Sequence, residues 1–250
     1  MLNKCCAEVV AVLDLTYDVK EIRLKLIDPP SLDFTAGQYI TIEVTETKAD
    51  PLTGVVTTHL KNRPYSIVSS PKERFEIRLC VDRVGNGPGS SFLHALKQGD
   101  CLDYFVPMSY FKVNEEETTA LLFVATGTGI APLKSMIQYR IQTGCSRPIT
   151  LYWGLRREED LYYQEALEAW SKQYPHFQYV TTLSQPHAPS GHSPTWRGMR
   201  GRVTDIIQCI EKVDNLSAYL CGNGAMIKEA REILLSKGME KKSIHFEKFF

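Results

Sequence analysis

Residues 120–132, with the sequence ALLFVATGTGIAP, decide the fold of this 250-residue chain. The continuous apolar run 120–125 is typical of a strand covered on both faces, as in a parallel sheet. A glycine-rich turn follows, and the next residues predict a helix over 131–143. Amides at the start of such a helix lie at its positive end, where a phosphate binds well. Taken alone, the turn leaves two interpretations open, a nucleotide site or a tight packing connection.

Strands and helices continue to alternate after this segment. Because this alternation is typical of a doubly wound parallel sheet, we expect an α/β domain over residues 118–250. The predicted strands cover residues 149–153, 177–183, 217–221 and 243–249. The predicted helices cover residues 161–173, 203–211 and 225–237. A loop rich in Pro, His and Ser, residues 184–195, is expected to be mobile.

The preceding half of the chain has β character. Charged and apolar residues alternate over 20–26, 39–44 and 75–81, which is the period of a half-buried strand. With a further strand at 9–13 and one short helix at 90–97, the pattern predicts a small antiparallel β-barrel or sandwich over residues 1–113. The stretch 51–62 is expected to be a solvent-exposed loop or hairpin.

Composition narrows the function classes. With 29 Lys and Arg against 29 Asp and Glu, nothing draws the whole chain to nucleic acid or to an anionic membrane. No apolar run approaches the roughly 18–20 residues of a membrane span, and the first residues do not resemble a secretory signal. We therefore expect a soluble cytoplasmic protein. The seven cysteines form no C-x-x-C pair, and we assign no metal to the one close histidine pair, His187 and His192.

Three further segments carry chemistry. Residues 63–70 (RPYSIVSS) offer a cation for phosphate, an aromatic plate and hydroxyl donors, although an ordinary edge strand would fit as well. Residues 84–93 place three glycines before a helix that we expect to be capped by a serine, which makes an amide-rich anion site. Residues 219–226 end a buried strand in Cys221, at the sheet edge where α/β proteins bind ligands. Cys221 alone could be a plain core thiol.

Together and in this order, the four segments resemble the ferredoxin–NADP reductase-like flavoprotein family. That family joins an N-terminal FAD-binding β-barrel to a C-terminal NAD(P)-binding α/β domain, and the resemblance covers essentially the whole chain. The family pattern R-x-Y-S matches Arg63, Tyr65 and Ser66, and G-x-G-S-x-x-L matches Gly87, Gly89, Ser90 and Leu93. The pattern G-T-G-x-A-P matches Gly127, Thr128, Gly129, Ala131 and Pro132, and C-G-x-x-x-M matches Cys221, Gly222 and Met226. The segment at Gly127 departs from the dinucleotide-binding pattern G-x-G-x-x-G, since Pro132 stands in the place of the last glycine.

The resemblance implies an FAD site in the barrel. Arg63 would pair with the FAD pyrophosphate, which Gly89 and Ser90 would bind through amides and a hydroxyl. Tyr65 would pack on the isoalloxazine, and Ser66 would hydrogen-bond near flavin N5 as a catalytic residue. The remaining implied FAD contacts are Pro64, Gly87 and the backbones of Ile67 and Val81.

The resemblance also implies a nicotinamide nucleotide site in the α/β domain. Gly127, Thr128 and Gly129 would hold the nucleotide. Cys221 would lie beside the nicotinamide as a catalytic residue, with Gly222 and Met226 next to it. The C-terminal ending EKF resembles that of bacterial oxygenase reductases. This resemblance implies that Glu247, as a catalytic residue, and the aromatic Phe249 would approach the flavin. An edge strand with packing aromatics is the alternative.

The implied activity is hydride transfer from NADH or NADPH to bound FAD. The cysteines of a plant-type ferredoxin domain are absent from the sequence, so we expect a separate electron acceptor such as a ferredoxin or an oxygenase component. A reductase of free flavin is an alternative, although the loop 87–90 favours held FAD. A nucleotide-binding regulatory subunit is a third possibility. Residues 154–160 carry both charge signs, including Arg156 and Arg157, and do not decide between NADH and NADPH. NADPH-selective members of the family tend to place a basic residue after the serine, and Gln185 follows Ser184 here, so the resemblance favours NADH.

Overall fold

Two compact units divide the chain, Met1–Tyr110 and Phe111–Phe250. The computed structural model describes residues 4–49, 56–85, 87–115, 118–186 and 196–249. The expected domain boundary, between residues 113 and 118, lies slightly further along the chain than this division.

The first unit is a six-stranded antiparallel sheet in the order β4-β3-β6-β1-β2-β5. A bridge between Ile67, which follows β4, and Leu79 on β5 links the two edges of the sheet. The expected antiparallel β-barrel is therefore confirmed. Its strands are β1 (Lys4–Asp14), β2 (Val19–Asp28), β3 (Tyr39–Ala49), β4 (Val56–Ser66), β5 (Glu76–Asp82) and β6 (Cys101–Met108), with one helix, α1 (Pro88–Ala95).

Apolar side chains at alternate positions along the strands of this sheet pack in the interior of the barrel. On β2, Ile22 and Leu24 are fully buried, while Lys25 between Leu24 and Leu26 is exposed. Successive side chains of a strand point to opposite faces, so the apolar set shares one side. Each fully buried side chain of this kind contributes about 1.5–3 kcal/mol relative to an exposed one.

The structure differs from the sequence-based expectations at two places in this unit, β6 and the start of α1. Strand β6 was not anticipated, because its alternation is short: Leu102 and Tyr104 are buried in the core with Asp103 exposed between them, but residues 105–107 do not alternate. Residues 56–62 are exposed and form part of β4, which pairs antiparallel with β3, so the hairpin alternative holds for them; residues 50–55 lie outside the described chain. Helix α1 begins at Pro88, so the expected serine cap is wrong: Gly87 is the N-cap, and Ser90 is already helical.

The second unit is a six-stranded parallel sheet in the order β10-β9-β8-β7-β11-β12. This confirms the expected parallel α/β architecture. Its strands are β7 (Ala120–Thr126), β8 (Ile149–Leu155), β9 (Phe177–Leu183), β10 (Met199–Arg200), β11 (Leu216–Asn223) and β12 (Ile244–Phe249). Its helices are α2 (Ile130–Gln142), α3 (Gln164–Gln173), α4 (Val203–Gln208) and α5 (Gly224–Ser236), with short 3-10 turns at Gly127–Gly129, Glu158–Asp160 and Lys241–Ser243.

Both faces of the central strand β7 are covered. Leu122 and Val124 pack with α4 and α5, which contact each other, while Phe123 between them is equally buried. The strand order reverses at β7, because β8 to β10 follow on one side and β11 and β12 on the other. Ligands of open α/β sheets bind at the carboxyl ends of the strands at such a reversal.

Two helices of this unit differ in extent from the expectation. Tyr163 has a left-handed backbone (φ 56°), and α3 begins only after it, at Gln164. Helix α4 ends at Gln208, earlier than residue 211. Within the described parts of the chain, no helix has the length and apolar character needed to cross a membrane.

Candidate functional site

In the first unit, the segments 63–70 and 84–93 meet at Gly89. A Cβ added to Gly89 would lie 2.3 Å from Tyr65 Oη and 3.0 Å from Arg63 Cγ. A side chain at position 89 would therefore require Tyr65 or the stem of Arg63 to shift. The contact joins two of the four segments that the sequence singled out.

The Tyr65 ring packs against the barrel core and is partly buried. Burial raises the pKa of its phenol to about 12, outweighing the lowering effect of the nearby Arg63 charge. The phenol is consequently protonated at neutral pH and can donate a hydrogen bond. Next to it, Ser66 ends β4 opposite Tyr39 and is buried.

The first turn of α1 offers amides beside this contact. Pro88 begins the helix, and Ser90 Oγ donates to the Gly87 carbonyl at 3.2 Å. Amides in the first turn of a helix have no intrahelical acceptor, so those of Gly89 and Ser90 suit an anion. The sequence did not predict a role for His94. Its Nε2 lies 3.1 Å from the Val81 carbonyl oxygen, a hydrogen-bonding distance that connects α1 to β5.

The Arg63 guanidinium completes the polar side of this region. Its Nη1 donates to the Asn62 carbonyl at 3.2 Å, and its Nη2 lies 4.0 Å from Glu46 Oε1. Glu46 was not anticipated, although the inward alternation of Ile40, Ile42 and Val44 along β3 could have revealed it.

The remaining barrel residues differ in what they can offer a ligand. Ile67 and Val81 are buried in the core, so only their backbones are available. Pro64 is exposed on β4 opposite Thr41.

In the second unit, the turn after β7 meets the end of β11. A Cβ on Gly129 would lie 2.4 Å from the Cys221 carbonyl oxygen and 2.7 Å from Gly222 Cα. A Cβ on Gly222 (φ 126°) would lie 2.4 Å from Thr126 Oγ1, which accepts a 3.0 Å hydrogen bond from the Asn223 amide. The glycines therefore let two strand-to-helix turns interlock at the reversal of the sheet.

A buried tryptophan fixes the first of these turns. Trp153 Nε1 donates to the Gly127 carbonyl at 3.0 Å, and its ring packs edge-on against Tyr162. Gly127 has a φ of 53°, which an L side chain adopts only with strain. Thr128 in the same turn is buried. The sequence carried no signal for the role of Trp153.

Asn223 caps the helix that follows β11. Its Oδ1 accepts from the amides of Ala225 and Met226 at 2.8 and 3.4 Å. An asparagine directly before a helix is a known N-cap signature, so the sequence could have revealed it. Met226 itself is buried in the core that β7 and β11 form with α4 and α5.

Cys221 is fully buried beside β12. Burial, and secondarily the charge of Glu247, raise the pKa of its thiol well above 9, although a hydrogen bond from the Gly222 backbone opposes them. Glu247 is the register partner of Cys221, and Phe249 is the partner of Asn223. The structure thus brings Cys221 and Glu247 together, with a neutral thiol.

Charge at the carboxyl end of β8 is mixed, as expected. Arg157 pairs with Glu159 at 3.2 Å, while Arg156 is exposed. No group of three or more His, Cys, Asp or Glu side chains able to hold a metal occurs among the described residues. His187 and His192 lie outside them.

Two strand-to-helix or loop-to-helix turns, one in each unit, could therefore hold nucleotide phosphates. At Gly89, and again where Gly129 meets Cys221, a Cβ would collide with the facing segment. In the barrel, Arg63 adds a cation and Tyr65 an aromatic ring. The cation could pair with the pyrophosphate of a flavin dinucleotide, and the aromatic ring could stack on its ring system.

Comparison with known proteins agrees with this geometry. Residues 7–113 match the oxidoreductase FAD-binding domain, and residues 123–232 match the oxidoreductase NAD-binding domain. FAD and a nicotinamide nucleotide, the cofactors expected from the sequence, are thus the ligands of the two matched domains.

Two relatives show the extent of the sequence similarity. Ferredoxin–NADP reductase B of Sorangium cellulosum is 31% identical over 251 residues, covering 97% of this chain and 96% of that one. The reductase component DmpP of phenol 2-monooxygenase from Pseudomonas sp. strain CF600 is 31% identical over 97% of this chain. This chain spans 64% of the length of that relative, slightly less than two thirds.

A solved ferredoxin NADP+ reductase from Neisseria gonorrhoeae shares the fold. The TM-score is 0.79 with 20% identity, and the alignment covers 100% of both chains. On the full-length similarity to the Sorangium protein and the two domain matches, this chain belongs to the ferredoxin–NADP reductase-like family of flavoproteins.

Proposed function

We propose that the chain is an FAD-dependent NAD(P)H oxidoreductase that passes electrons to a separate protein acceptor. The observation that carries this proposal is the pair of turns in which a glycine lies against the facing segment, Gly89 in the FAD-binding domain and Gly129 in the NAD-binding domain. When bound, FAD accepts a hydride from NAD(P)H and releases the electrons onward. The protein supplies binding and orientation.

In the barrel, Arg63 and the amides of Gly89 and Ser90 would hold the FAD pyrophosphate. Gly87 sets the start of α1, and its carbonyl already accepts from Ser90 Oγ. Tyr65, protonated at neutral pH, would cover the flavin ring without adding charge. Ser66, the next residue on β4, would donate a hydrogen bond near flavin N5. The contacts assigned to Pro64, Ile67 and Val81 stay predictions; only backbone contacts are available from the last two.

In the α/β domain, Gly127, Thr128 and Gly129 would hold the nicotinamide nucleotide at the positive end of α2. Cys221 would place the nicotinamide through the shape of a neutral thiol, because its raised pKa keeps it protonated. Gly222 gives the turn its close approach to Thr126. Met226, buried in the core, would act through packing.

The roles of Glu247 and Phe249 toward the flavin also remain proposals. Their support is the register that sets them beside Cys221 and Asn223. Glu247 would contribute a carboxylate next to a thiol that it helps to keep protonated. Phe249 would contribute an aromatic face.

We propose a ferredoxin or an oxygenase component as the acceptor. The support is the family membership and the names of the relatives, one a ferredoxin–NADP reductase and one the reductase component of an oxygenase. A cytoplasmic location also stays a prediction; its support is that the seven cysteines are odd in number and scattered along the sequence, unlike the disulfide framework of a small secreted protein.

A second candidate function is reduction of free flavin. The observation that favours it is the carboxylate of Glu46 at 4.0 Å from Arg63, which works against tight binding of a pyrophosphate. A regulatory nucleotide-binding subunit is the third possibility.

One experiment separates these functions. The protein is saturated with FAD and desalted, its flavin absorption is recorded, and oxidation of NADH and NADPH is followed with ferricyanide as acceptor. Retained flavin with turnover supports the proposal. A colourless protein that oxidises NADH or NADPH only with added free flavin supports the flavin reductase. Retained flavin without turnover supports the regulatory subunit.

A further inference from the structure

A carboxylate stands beside the arginine that we assign to the FAD pyrophosphate. Glu46 Oε1 lies 4.0 Å from Arg63 Nη2, and the two side chains are 18% and 35% exposed. Glu46 shares the face of β3 that carries the buried Ile42 and Val44, so its side chain points to the same side as the barrel interior.

Arg63 does not depend on Glu46 for its orientation. The Cγ of Arg63 lies 3.0 Å from the position that a Gly89 Cβ would occupy, so α1 already confines the stem. The Nη1 atom donates to the Asn62 carbonyl on the same strand. What Glu46 adds at Arg63 is therefore chiefly its negative charge.

We propose that Glu46 is a built-in anion that competes with the FAD pyrophosphate for Arg63 and so limits how tightly FAD is held. The inference rests on the proposed function, since it requires FAD at Arg63. A bound pyrophosphate would bring two further negative charges close to this carboxylate. For partly exposed charges this repulsion corresponds to a loss of affinity of about three- to tenfold.

The effect depends on the phosphates of the ligand. Riboflavin has the same ring system but no phosphate, so its affinity does not respond to the charge of Glu46. The effect also weakens with added salt, which screens partly exposed charges. Both dependences distinguish charge competition from a change in barrel stability.

The test compares Glu46→Gln with Glu43→Gln. Both variants remove one negative charge from β3, but Glu43 is exposed, pairs in register with Asn62 and lies on the opposite face of the strand. Dissociation constants for FAD and riboflavin are measured by flavin fluorescence at low and high salt. We expect Glu46→Gln to bind FAD about three- to tenfold more tightly at low salt. We expect unchanged riboflavin binding in Glu46→Gln and unchanged binding of both ligands in Glu43→Gln.

Unchanged or weaker FAD binding by Glu46→Gln overturns the inference, and so does an equal gain in Glu43→Gln or for riboflavin. Such a result leaves the proposed function intact as long as the wild-type protein binds FAD. If no variant binds FAD, the proposed function fails and the inference fails with it.

Discussion

Gly129 faces the backbone of Cys221 so closely that a Cβ on the glycine would lie 2.4 Å from the Cys221 carbonyl oxygen. The two residues are far apart in the chain and meet where the strand order of the parallel sheet reverses. Since the obstacle is backbone, it cannot rotate away as a flexible side chain would. The contact fixes the position of the proposed phosphate-binding turn relative to Cys221, the thiol proposed to lie beside the nicotinamide.

Gly129→Ala is expected to destabilise the α/β domain by about 3 kcal/mol or more, at or above the usual range for overpacking, because β7 or β11 must shift. Chemical denaturation measures the loss. Gly144→Ala is the control: Gly144 has a φ of 74° with open space around it, so only backbone strain of about 1 kcal/mol applies. Equal losses in the two variants would contradict the close packing.

Gly89→Ala is expected to weaken FAD binding by about ten- to a hundredfold, because its methyl group would displace Tyr65 Oη and the Arg63 stem. Adding Tyr65→Phe removes the hydroxyl that the methyl meets and should restore part of the affinity. The check is a double-mutant cycle on FAD dissociation constants, with Tyr65→Phe alone as the control. Strictly additive effects would show that the two residues do not touch.

Trp153→Phe is expected to cost about 2–3 kcal/mol of stability, because it removes the hydrogen bond to Gly127 and part of a fully buried ring. It should also raise the KM for NADH or NADPH several-fold by loosening the turn. Trp196→Phe serves as the control, since that indole donates to Met199 at a more exposed position. Thermal unfolding and steady-state kinetics report the two effects, and a variant equal to wild type in both would refute this role.

The stability of the α/β domain should fall at alkaline pH through Cys221. Its folded pKa lies well above the value near 9 of an unfolded thiol, so the stabilisation is complete below about pH 9. Above that pH the unfolded thiol ionises while the folded one stays protonated. The loss is about 1.4 kcal/mol per pH unit until the folded pKa is reached.

Denaturation curves at increasing pH for wild type, Cys221→Ala and Cys209→Ala measure this loss. Cys221→Ala should lose less stability with rising pH than wild type. Cys209→Ala, which removes an exposed thiol, should keep the wild-type slope. Identical slopes in all three proteins would contradict the raised pKa of Cys221.

The parts that the sequence predicted are local in the chain. The apolar run at 120–125 and the glycines after it specify strand, turn and helix over a few residues, and the structure has β7 and α2 there. Alternation likewise predicted β2 and β5, since a strand with one buried face repeats every second residue.

The parts that the sequence did not predict depend on contacts between distant residues. Nothing near Trp153 signals that its indole would reach Gly127, and nothing near Glu46 signals Arg63 on the next strand. Strand β6 gains its place from pairing with β1 and β3, although its own pattern is weak. Ser90 resembles a cap by residue type, but Pro88 moves the start of α1 ahead of it.

The most direct test of the central claim is the visible absorption spectrum of the FAD-loaded, desalted protein, recorded without oxygen before and after NADH or NADPH is added. The account predicts flavin bands that survive desalting and bleach within seconds with at least one nucleotide. Flavin bands that persist with both nucleotides would contradict hydride transfer in this chain.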